Sequence, residues 1–216
     1  MKLEEVILRD TRASQPAAAS TPIGAVYFVT DETVLERNSG SAWESISATG
    51  AGGTAFALTF TPLNNEAPAA AYATLDTRNS HPTLDFDGTT DEEAVFTSVL
   101  PAGYAGGGLT VSTWWALTSA TSGSFRVQVA IERIDVSSLD IDADSFAAFQ
   151  SAGGTAPGTS GMVVKVDVTF TSGAQMDSLA AGELFRVKVR RDADGTSGTD
   201  DITTDAELLC VVVTET

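Results

Sequence analysis

Strict alternation of apolar and polar residues constrains the fold of this 216-residue chain more than any other feature. In residues 125–132, apolar side chains fall on one side of an extended strand and mostly polar side chains fall on the other. Residues 184–191 repeat the pattern, with valines on one side and Arg or Lys on the other. A period of two with one polar face is typical of an antiparallel sheet that is covered on one side only.

Segments of this kind follow one another through the C-terminal part of the chain, separated by turns rich in Gly, Pro, Asn and Asp. Their number and spacing predict a jelly-roll-like antiparallel β-sandwich over residues 55–216. The predicted strands cover residues 56–60, 69–76, 83–86, 92–100, 109–117, 125–134, 163–170, 184–191 and 206–213. One helix is predicted over residues 144–153, capped by Asp144 and ended by Gly153, and a loop or single helical turn over residues 174–183.

Three shorter segments precede the predicted sandwich. Residues 1–22 join a short apolar and polar arm to a stretch of Pro, Ala and Ser, which predicts an extended docking arm and linker. Residues 23–46 contain three short strand patterns joined by polar turns, which predict a small β-meander. Residues 47–54 are rich in Gly and predict a hinge, where we place the domain boundary.

The predicted meander has few apolar side chains from which to build a core, namely Val26, Phe28, Leu35 and Trp43. A unit this small is marginally stable unless it packs on something else. We therefore expect Tyr27, Phe28 and Trp43 to be buried by oligomerisation or by a partner. The apolar residues of the arm, Leu3, Val6, Ile7 and Leu8, are suited to adding a strand to the sheet edge of a partner.

Charge and composition exclude several classes of function. The chain has 29 Asp and Glu against 12 Lys and Arg, a formal net charge of −17. Such a chain repels the phosphates of nucleic acids and the anionic lipids of a membrane surface, so neither is expected as a partner. A single cysteine and a single histidine exclude an internal disulfide and any site built from several of these residues within one chain.

No catalytic constellation is evident in the sequence. His81 precedes a proline in a turn and has no accompanying nucleophile motif, so we interpret it as a locally hydrogen-bonded turn residue. Cys210 lies within an apolar strand, where a thiol is usually inert packing. Carboxylates are abundant, but aromatic residues are only 7% of the chain, which is low for the long cleft of a glycosidase. We predict a protein that is not an enzyme and that requires no cofactor.

Two acidic segments resemble sets of calcium ligands. The first is the Gly-rich loop that carries Asp192, Asp194, Asp200 and Asp201, and the second carries Asp140, Asp142 and Asp144. Calcium binds six to eight oxygen ligands from flexible loops, so the first loop is a candidate Ca²⁺ site through Asp192, Asp194 and Asp200. The EF-hand pattern is not met, because no Glu stands at the twelfth position from Asp192. A solvated acidic turn is the preferred interpretation.

Adjacent tryptophans in a predicted strand must point to opposite faces of the sheet. One of Trp114 and Trp115 therefore belongs to the core, and the other faces a subunit interface or a ligand. Burial at an interface is the favoured interpretation, and stacking on a sugar ring is the alternative. Tyr104 and Tyr72 are further candidate aromatic contacts for a glycan or an interface.

Residues 21–46 resemble a short module of bacteriophage tail-fibre, collar and head-fibre proteins. The resemblance is carried by Gly24 and Tyr27 before Thr30-Asp31, then by Leu35, Arg37, the turn Asn38-Ser39-Gly40 and Trp43. The later part of the chain is similar to β-rich structural proteins of phage and environmental viruses. The resemblance implies an arm that docks on the virion, a small adaptor and an outward β-sandwich, usually assembled as a homotrimer. It carries over no catalytic residue.

The sequence and this resemblance together predict a phage virion structural protein, assembled in the host cytoplasm. Its expected partners are capsid, neck or tail proteins, and its position on the head, neck or tail stays open. The alternative is a receptor- or carbohydrate-binding module, in which the distal sandwich binds a glycan of the host surface.

Overall fold

β-Strands account for nearly all of the regular structure in the computed structural model, which describes residues 7–46 and 56–216. Within those ranges the other regular elements are 3₁₀ turns, and no α-helix is present. The chain divides into two compact units, residues 1–52 and 53–216. The predicted hinge at 47–54 lies in residues outside the described ranges.

The strands of the N-terminal unit are β1 (Ile7–Asp10), β2 (Val26–Val29), β3 (Val34–Asn38) and β4 (Trp43–Ser45). The strands of the C-terminal unit are β5 (Ala57–Phe60), β6 (Thr74–Arg78), β7 (His81–Phe86), β8 (Glu92–Val99), β9 (Leu109–Leu117), β10 (Ser124–Ile134), β11 (Gln150–Thr155), β12 (Val164–Phe170), β13 (Leu184–Arg191) and β14 (Ala206–Glu215). The 3₁₀ turns are Arg12–Ser14, Ala18–Ser20, Pro62–Asn64 and Ala174–Met176. The last of these confirms the single turn predicted within residues 174–183.

The N-terminal unit is one sheet with the strand order β1-β2-β3-β4. Strands β2, β3 and β4 form the predicted antiparallel meander, and β1 pairs parallel with β2. The expectation that the arm adds a strand to a partner's sheet is therefore corrected for residues 7–10, because they add it to the sheet of their own chain. Leu3 and Val6 lie outside the described residues.

Residues 11–22, predicted as an extended linker, instead fold back as a strap that packs on β2, β3 and β4. The indole Nε1 of Trp43 donates a hydrogen bond of 2.7 Å to the carbonyl of Pro16. The fully buried Asn38 donates from Nδ2 to the carbonyls of Ala18 and Thr21, at 2.8 and 2.7 Å. The strap thus makes the packing contacts with this small sheet that we expected another chain to make.

The buried face of β2 is the opposite of the predicted one. Tyr27 and Val29 are buried, and the ring of Tyr27 lies 5.6 Å from that of Trp43. Val26 and Phe28, predicted as core, are only half-buried. The reason is the strap, because the face that it covers becomes the interior and β-strand side chains alternate.

The C-terminal unit is a jelly-roll-like β-sandwich, as predicted. The smaller sheet has the order β11-β10-β13-β8, and the larger has the order β12-β9-β14-β7-β6, with β5 also paired to β14. Each predicted strand is present, and the largest change is in β6, which begins at Thr74 rather than at residue 69. Between the sheets, Trp115 packs edge-on against Phe86 and Phe125, with ring centroids 5.0 and 5.9 Å apart. These three rings join the two layers into one core.

The helix predicted over residues 144–153 is wrong. Residues 150–155 form β11, which pairs antiparallel with β10, and the residues before it form a loop. Gly154 lies against the ring of Phe125, and a Cβ at this position would clash with it. Pairing with the exposed edge of β10 outweighs the weak local helix preference. Asp144 accordingly does not cap a helix, and it accepts hydrogen bonds from Arg186 and Lys188 instead.

The smaller sheet is covered on both faces, in contrast to the prediction of a single covered face. On the outward side of β10, Ala130 and Glu132 are fully buried. The loop of residues 135–149 covers them, with Phe146 beneath the cations of Arg186 and Lys188. The alternation of residues 125–132 is real, but it does not reveal that a distant loop packs on the polar face.

Candidate functional site

The two adjacent tryptophans separate as predicted, one into the core and one outward. Trp115 is fully buried, and its Nε1 donates to Thr113 Oγ1 at 2.7 Å, so it is unavailable to a ligand or a partner. Trp114 points outward from the larger sheet and is half-buried. The ammonium of Lys165, on the neighbouring strand β12, lies 5.5 Å from the centroid of its ring. Trp114 is therefore the aromatic residue of this face that can contact a ligand.

A depression of about 360 Å³ lies on the larger sheet. It is lined by Arg78, Asn79, His81, Thr83, Ala116, Gly161, Val163, Glu207 and Leu209. Asn79 and Ser80 have φ of 46° and 68°, which is the backbone of a tight hairpin turn between β6 and β7. That turn, strands β9 and β14, and the loop before β12 together form the walls.

An ion pair organises the polar wall of this depression. Nη1 of Arg78 pairs with the buried carboxylate of Glu207 and donates to the carbonyl of Leu117 at 3.0 Å. Gly161 lies against the same guanidinium, and a Cβ there would stand 2.9 Å from Nη2 of Arg78. Its φ of +79° also favours glycine, so this residue leaves room for Arg78. The result is a fixed donor and acceptor pair in which the Arg78 side chain is partly exposed and the Glu207 side chain is nearly buried.

Trp114 and the depression lie on the same outward face of the sheet. Ala116, which lines the depression, is two residues beyond Trp114 on β9, so both side chains point to the same side. The two positions are roughly 7 Å apart at the strand rise of a β-sheet. An aromatic ring and a hollow with one polar wall are thus placed side by side, and Ala116, Val163 and Leu209 give the rest of the hollow an apolar lining.

Asp85 gives this face a local excess of negative charge. It lies directly opposite Glu207 in the pairing of β7 with β14, and Thr83 Oγ1 donates to it at 3.2 Å. Burial, followed by the nearby charges of Glu207 and Asp76, raises the pKa of Asp85 above its ordinary value, against the effect of the Thr83 hydrogen bond. His81, interpreted from the sequence as a turn residue, is exposed at the start of β7 and lines the depression.

The two candidate tyrosines lie elsewhere. Tyr104 is 8% exposed and its hydroxyl donates to the carbonyl of Gly107, so the structure removes it as a glycan contact. Tyr72 is 50% exposed and lines a second depression of about 290 Å³, together with Pro62, Leu63 and Leu75. This second hollow is mostly apolar and lacks a charged lining residue.

The predicted calcium loop is only partly assembled. Carboxylate oxygens of Asp192, Asp194 and Asp91 lie within 4.8 Å of one another, and Asp91 was not predicted. Asp200 is not part of this group, because it is paired with the fully buried Arg191 at 2.9 Å. Asp192 already accepts hydrogen bonds from Thr196 and Ser197. Three carboxylates from two loops fit a divalent cation, but Asp192 is also satisfied by the hydrogen bonds of its own loop.

The predicted docking residues of the N-terminal unit fall into two groups. Tyr27 and Trp43 pack within their own unit, which corrects the expectation that a partner buries them. Leu8 is 39% exposed, Phe28 is half-buried, and the side chain of Ile7 is not described. Of this set, Leu8, Phe28 and Trp43 offer described apolar surface, the last two being half-buried.

Sequence reasoning missed Arg78, Thr83 and Glu207, which form the polar wall. Arg78 and Glu207 are 129 residues apart and meet only because β7 pairs with β14 in one register. A faint signal exists at Glu207, because it is a single acidic residue within the otherwise apolar segment 206–213. A charge in such a strand is usually paired, but the sequence does not name its partner.

Comparison with known proteins finds solved structures with a similar fold at low sequence identity, but no related sequence. No protein-family model matches the chain, and no curated protein matches it. Among solved structures, the C-terminal CBM6 of LamC, a marine laminarinase from Zobellia galactanivorans, has a TM-score of 0.44 and 10% identity, over 74% of this chain and 100% of that one. A family 35 carbohydrate-binding module from an environmental isolate has a TM-score of 0.44 and 10% identity, over 74% and 97%. The CBM22-1 xylan-binding domain of Paenibacillus barcinonensis Xyn10C has a TM-score of 0.42 and 11% identity, over 73% and 92%.

These neighbours are β-sandwich carbohydrate-binding modules, and none of the three is described as a phage protein. At TM-scores and sequence identities this low, the ligand of a neighbour cannot be assigned to this chain. The larger sheet of this protein therefore has to be interpreted from its own side chains.

A search of the described ranges finds no helix with the length and apolarity needed to cross a bilayer.

Proposed function

We propose that the sandwich of residues 56–216 is a carbohydrate-binding module. The observation that carries this proposal is the position of Trp114 beside the depression walled by Arg78 and Glu207, on one face of the larger sheet. This is the alternative function considered from the sequence, and it takes precedence over the virion role because a specific site supports it.

The side chains of this face match the two chemical surfaces of a pyranose. The apolar C–H face of a sugar ring stacks on an aromatic ring, which Trp114 offers. The hydroxyl groups both donate and accept hydrogen bonds, and the ion pair of Arg78 with Glu207 presents both kinds of group in fixed positions. The volume of about 360 Å³ lies at the lower end of the range for ligand pockets, which suits one or two sugar units.

The proposed module binds its glycan without cleaving it. The carboxyl group that lines the depression is that of Glu207, and the guanidinium of Arg78 holds it in an ion pair, so it is not free to act as the acid or base of a hydrolysis. Release of reducing ends from a bound polysaccharide during the binding experiment would contradict this part of the proposal.

The test is a glycan array followed by calorimetry on the full chain. We expect at least one neutral oligosaccharide to bind, and Trp114→Ala to weaken that binding by roughly tenfold or more, the loss of one stacked ring. Tyr72→Ala is the matched control, because it removes an exposed aromatic residue from the other depression and should leave the affinity unchanged. A silent array, or equal affinities for Trp114→Ala and the parent chain, would overturn the proposal.

A second proposal concerns the N-terminal unit, which we infer attaches the sandwich to a virion as part of a homotrimer. It is supported by the half-buried Val26, Phe28 and Leu35 on the face of the small sheet away from the buried Tyr27. Phe28→Ser should abolish incorporation into phage particles and reduce the trimer to monomer in native mass measurement. Normal incorporation of the folded variant would contradict this role.

A further inference from the structure

We propose that the depression beside Trp114 selects uncharged glycans and rejects those that carry carboxylate or sulfate groups, with Asp85 and Asp76 as the residues that determine this selectivity. The inference rests on the proposed function, since it names the class of glycan for the same site. It follows from the balance of charge on the outward face of strands β6, β7, β9, β12 and β14.

The Arg and Lys side chains described on this face already form ion pairs with carboxylates. Arg78 is paired with Glu207, and its Nη1 also donates to the carbonyl of Leu117. Lys165 is paired with Asp167 at 2.8 Å, and its ammonium also lies over the ring of Trp114. An acidic sugar that bound here would have to share each cation with the carboxylate already paired to it, so it would gain little net attraction from either.

Two carboxylates of the same face have no cationic partner among the described residues. Asp85 lies opposite Glu207 and accepts one hydrogen bond, from Thr83. Asp76 is exposed and lies opposite Thr83, which lines the depression, in the pairing of β6 with β7. Because residues in register share a face, both carboxylates point to the side on which the depression opens.

The size of the effect follows from the distance between charges. A uronate carboxylate in the depression would stand about 6 Å from Asp85 if it occupied the neighbouring strand position. Between the limits of bulk water and a protein surface, a like charge at that distance weakens binding by roughly tenfold. The net charge of −17 over the chain adds a weaker, salt-sensitive repulsion of the same sign.

The experiment compares two sets of hexasaccharides by calorimetry on the full chain. The neutral set is cellohexaose, xylohexaose, laminarihexaose and mannohexaose, and the anionic set is hexagalacturonate, hexamannuronate and a heparin-derived hexasaccharide. We expect binding within the neutral set and at least tenfold weaker binding throughout the anionic set. Binding of an anionic sugar as tightly as the best neutral one would overturn the selectivity while leaving glycan binding intact. No binding in either set would overturn the proposed function as well.

A pair of variants separates the local effect from the net charge. The double variant Asp76→Asn and Asp85→Asn should narrow the ratio of neutral to anionic affinity by roughly tenfold or more. Asp142→Asn together with Asp140→Asn is the matched control, since it removes two carboxylates from the loop over the other sheet and should leave the ratio unchanged. An equal narrowing in the control, or none in the Asp76 and Asp85 variant, would contradict the assignment of selectivity to this face.

Discussion

Asp85 and Glu207 lie directly opposite each other on antiparallel strands, and among the described residues Glu207 has a cationic partner, Arg78, whereas Asp85 has none. Asp85 is half-buried, and a carboxylate that is partly removed from water beside a like charge is destabilised in its ionised form. Burial first, and the charge of Glu207 next, accordingly raise the pKa of Asp85 in the folded chain. This residue therefore contributes a penalty to folding that depends on pH.

The first prediction concerns Asp85→Asn. Below the pKa of the unfolded chain, near 3.9, Asp85 is protonated in both states and contributes nothing. As pH rises from there through the raised pKa of the folded state, the unfolded chain ionises first, so stability falls and the penalty then stays constant. Asn resembles the protonated form and can still accept from Thr83, so the variant should be more stable than the parent near pH 7, by up to about 1 kcal/mol.

Denaturant unfolding at several pH values checks this prediction. The advantage of Asp85→Asn should shrink toward zero near pH 3 and be largest near neutrality. Asp142→Asn, at an exposed position, serves as the control and should show little dependence on pH. An advantage of Asp85→Asn that is the same at every pH would mean that charge is not its cause.

The sandwich itself was predictable because its strands carry their own period-two pattern. The misassigned β11 shows the limit of this reasoning, since its sequence QSAGGT has no alternation and contains two glycines. Its structure is dictated by the partner strand, where Gly154 faces the ring of Phe125. The conformation of β11 depends on which strand it pairs with and in which register, and the local sequence pattern specifies neither.

The second prediction tests this contact through Gly154→Ala. The new Cβ would clash with the ring of Phe125 and approach Val166 Cγ2 to 2.9 Å. Phe125 is fully buried against Trp115 and has no room to move, so we expect a loss of about 1–3 kcal/mol in the free energy of unfolding. Gly158→Ala, where a Cβ meets nothing within 4 Å, should change stability little in the same denaturant titration. Equal stability of the two variants would refute the packing argument.

The candidate site was less predictable than the fold, for a related reason. Trp114 was identifiable because two adjacent tryptophans in a strand must point to opposite faces. Its polar neighbours come from strands far apart in the chain, and the pairing of Arg78 with Glu207 requires the register of β14 against β7. In the N-terminal unit, Tyr27 and Trp43 were expected to pack on another chain, because the sequence of residues 11–22 does not show that this segment folds back on its own sheet.

The third prediction addresses the strap of residues 11–22 through Asn38→Asp. The amide Nδ2 of Asn38 donates to the carbonyls of Ala18 and Thr21, and a carboxylate at this buried position would face both oxygens without a proton. We expect a local loss of about 1–3 kcal/mol, seen as faster hydrogen exchange in residues 26–45 while the sandwich keeps its protection. Asn79→Asp, at an exposed turn, makes the same chemical change and should leave exchange in residues 26–45 as it is. Unchanged exchange in Asn38→Asp would show that the strap does not stabilise the sheet.

The fourth prediction separates the buried ion pair from the acidic loop beside it. Asp200 holds the fully buried Arg191 with two hydrogen bonds, at 3.0 and 2.9 Å, so Asp200→Ala leaves a guanidinium buried without its counter-ion. We expect a loss of about 3–5 kcal/mol, equal in EDTA and in millimolar Ca²⁺, because Asp200 is tied to Arg191 and lies outside the group of Asp91, Asp192 and Asp194. Asp194→Ala, which removes an exposed carboxylate from that group, should cost under about 0.5 kcal/mol in EDTA. Restoration of the Asp200→Ala variant by Ca²⁺ would contradict this separation, since a cation can compensate only for a ligand that it binds.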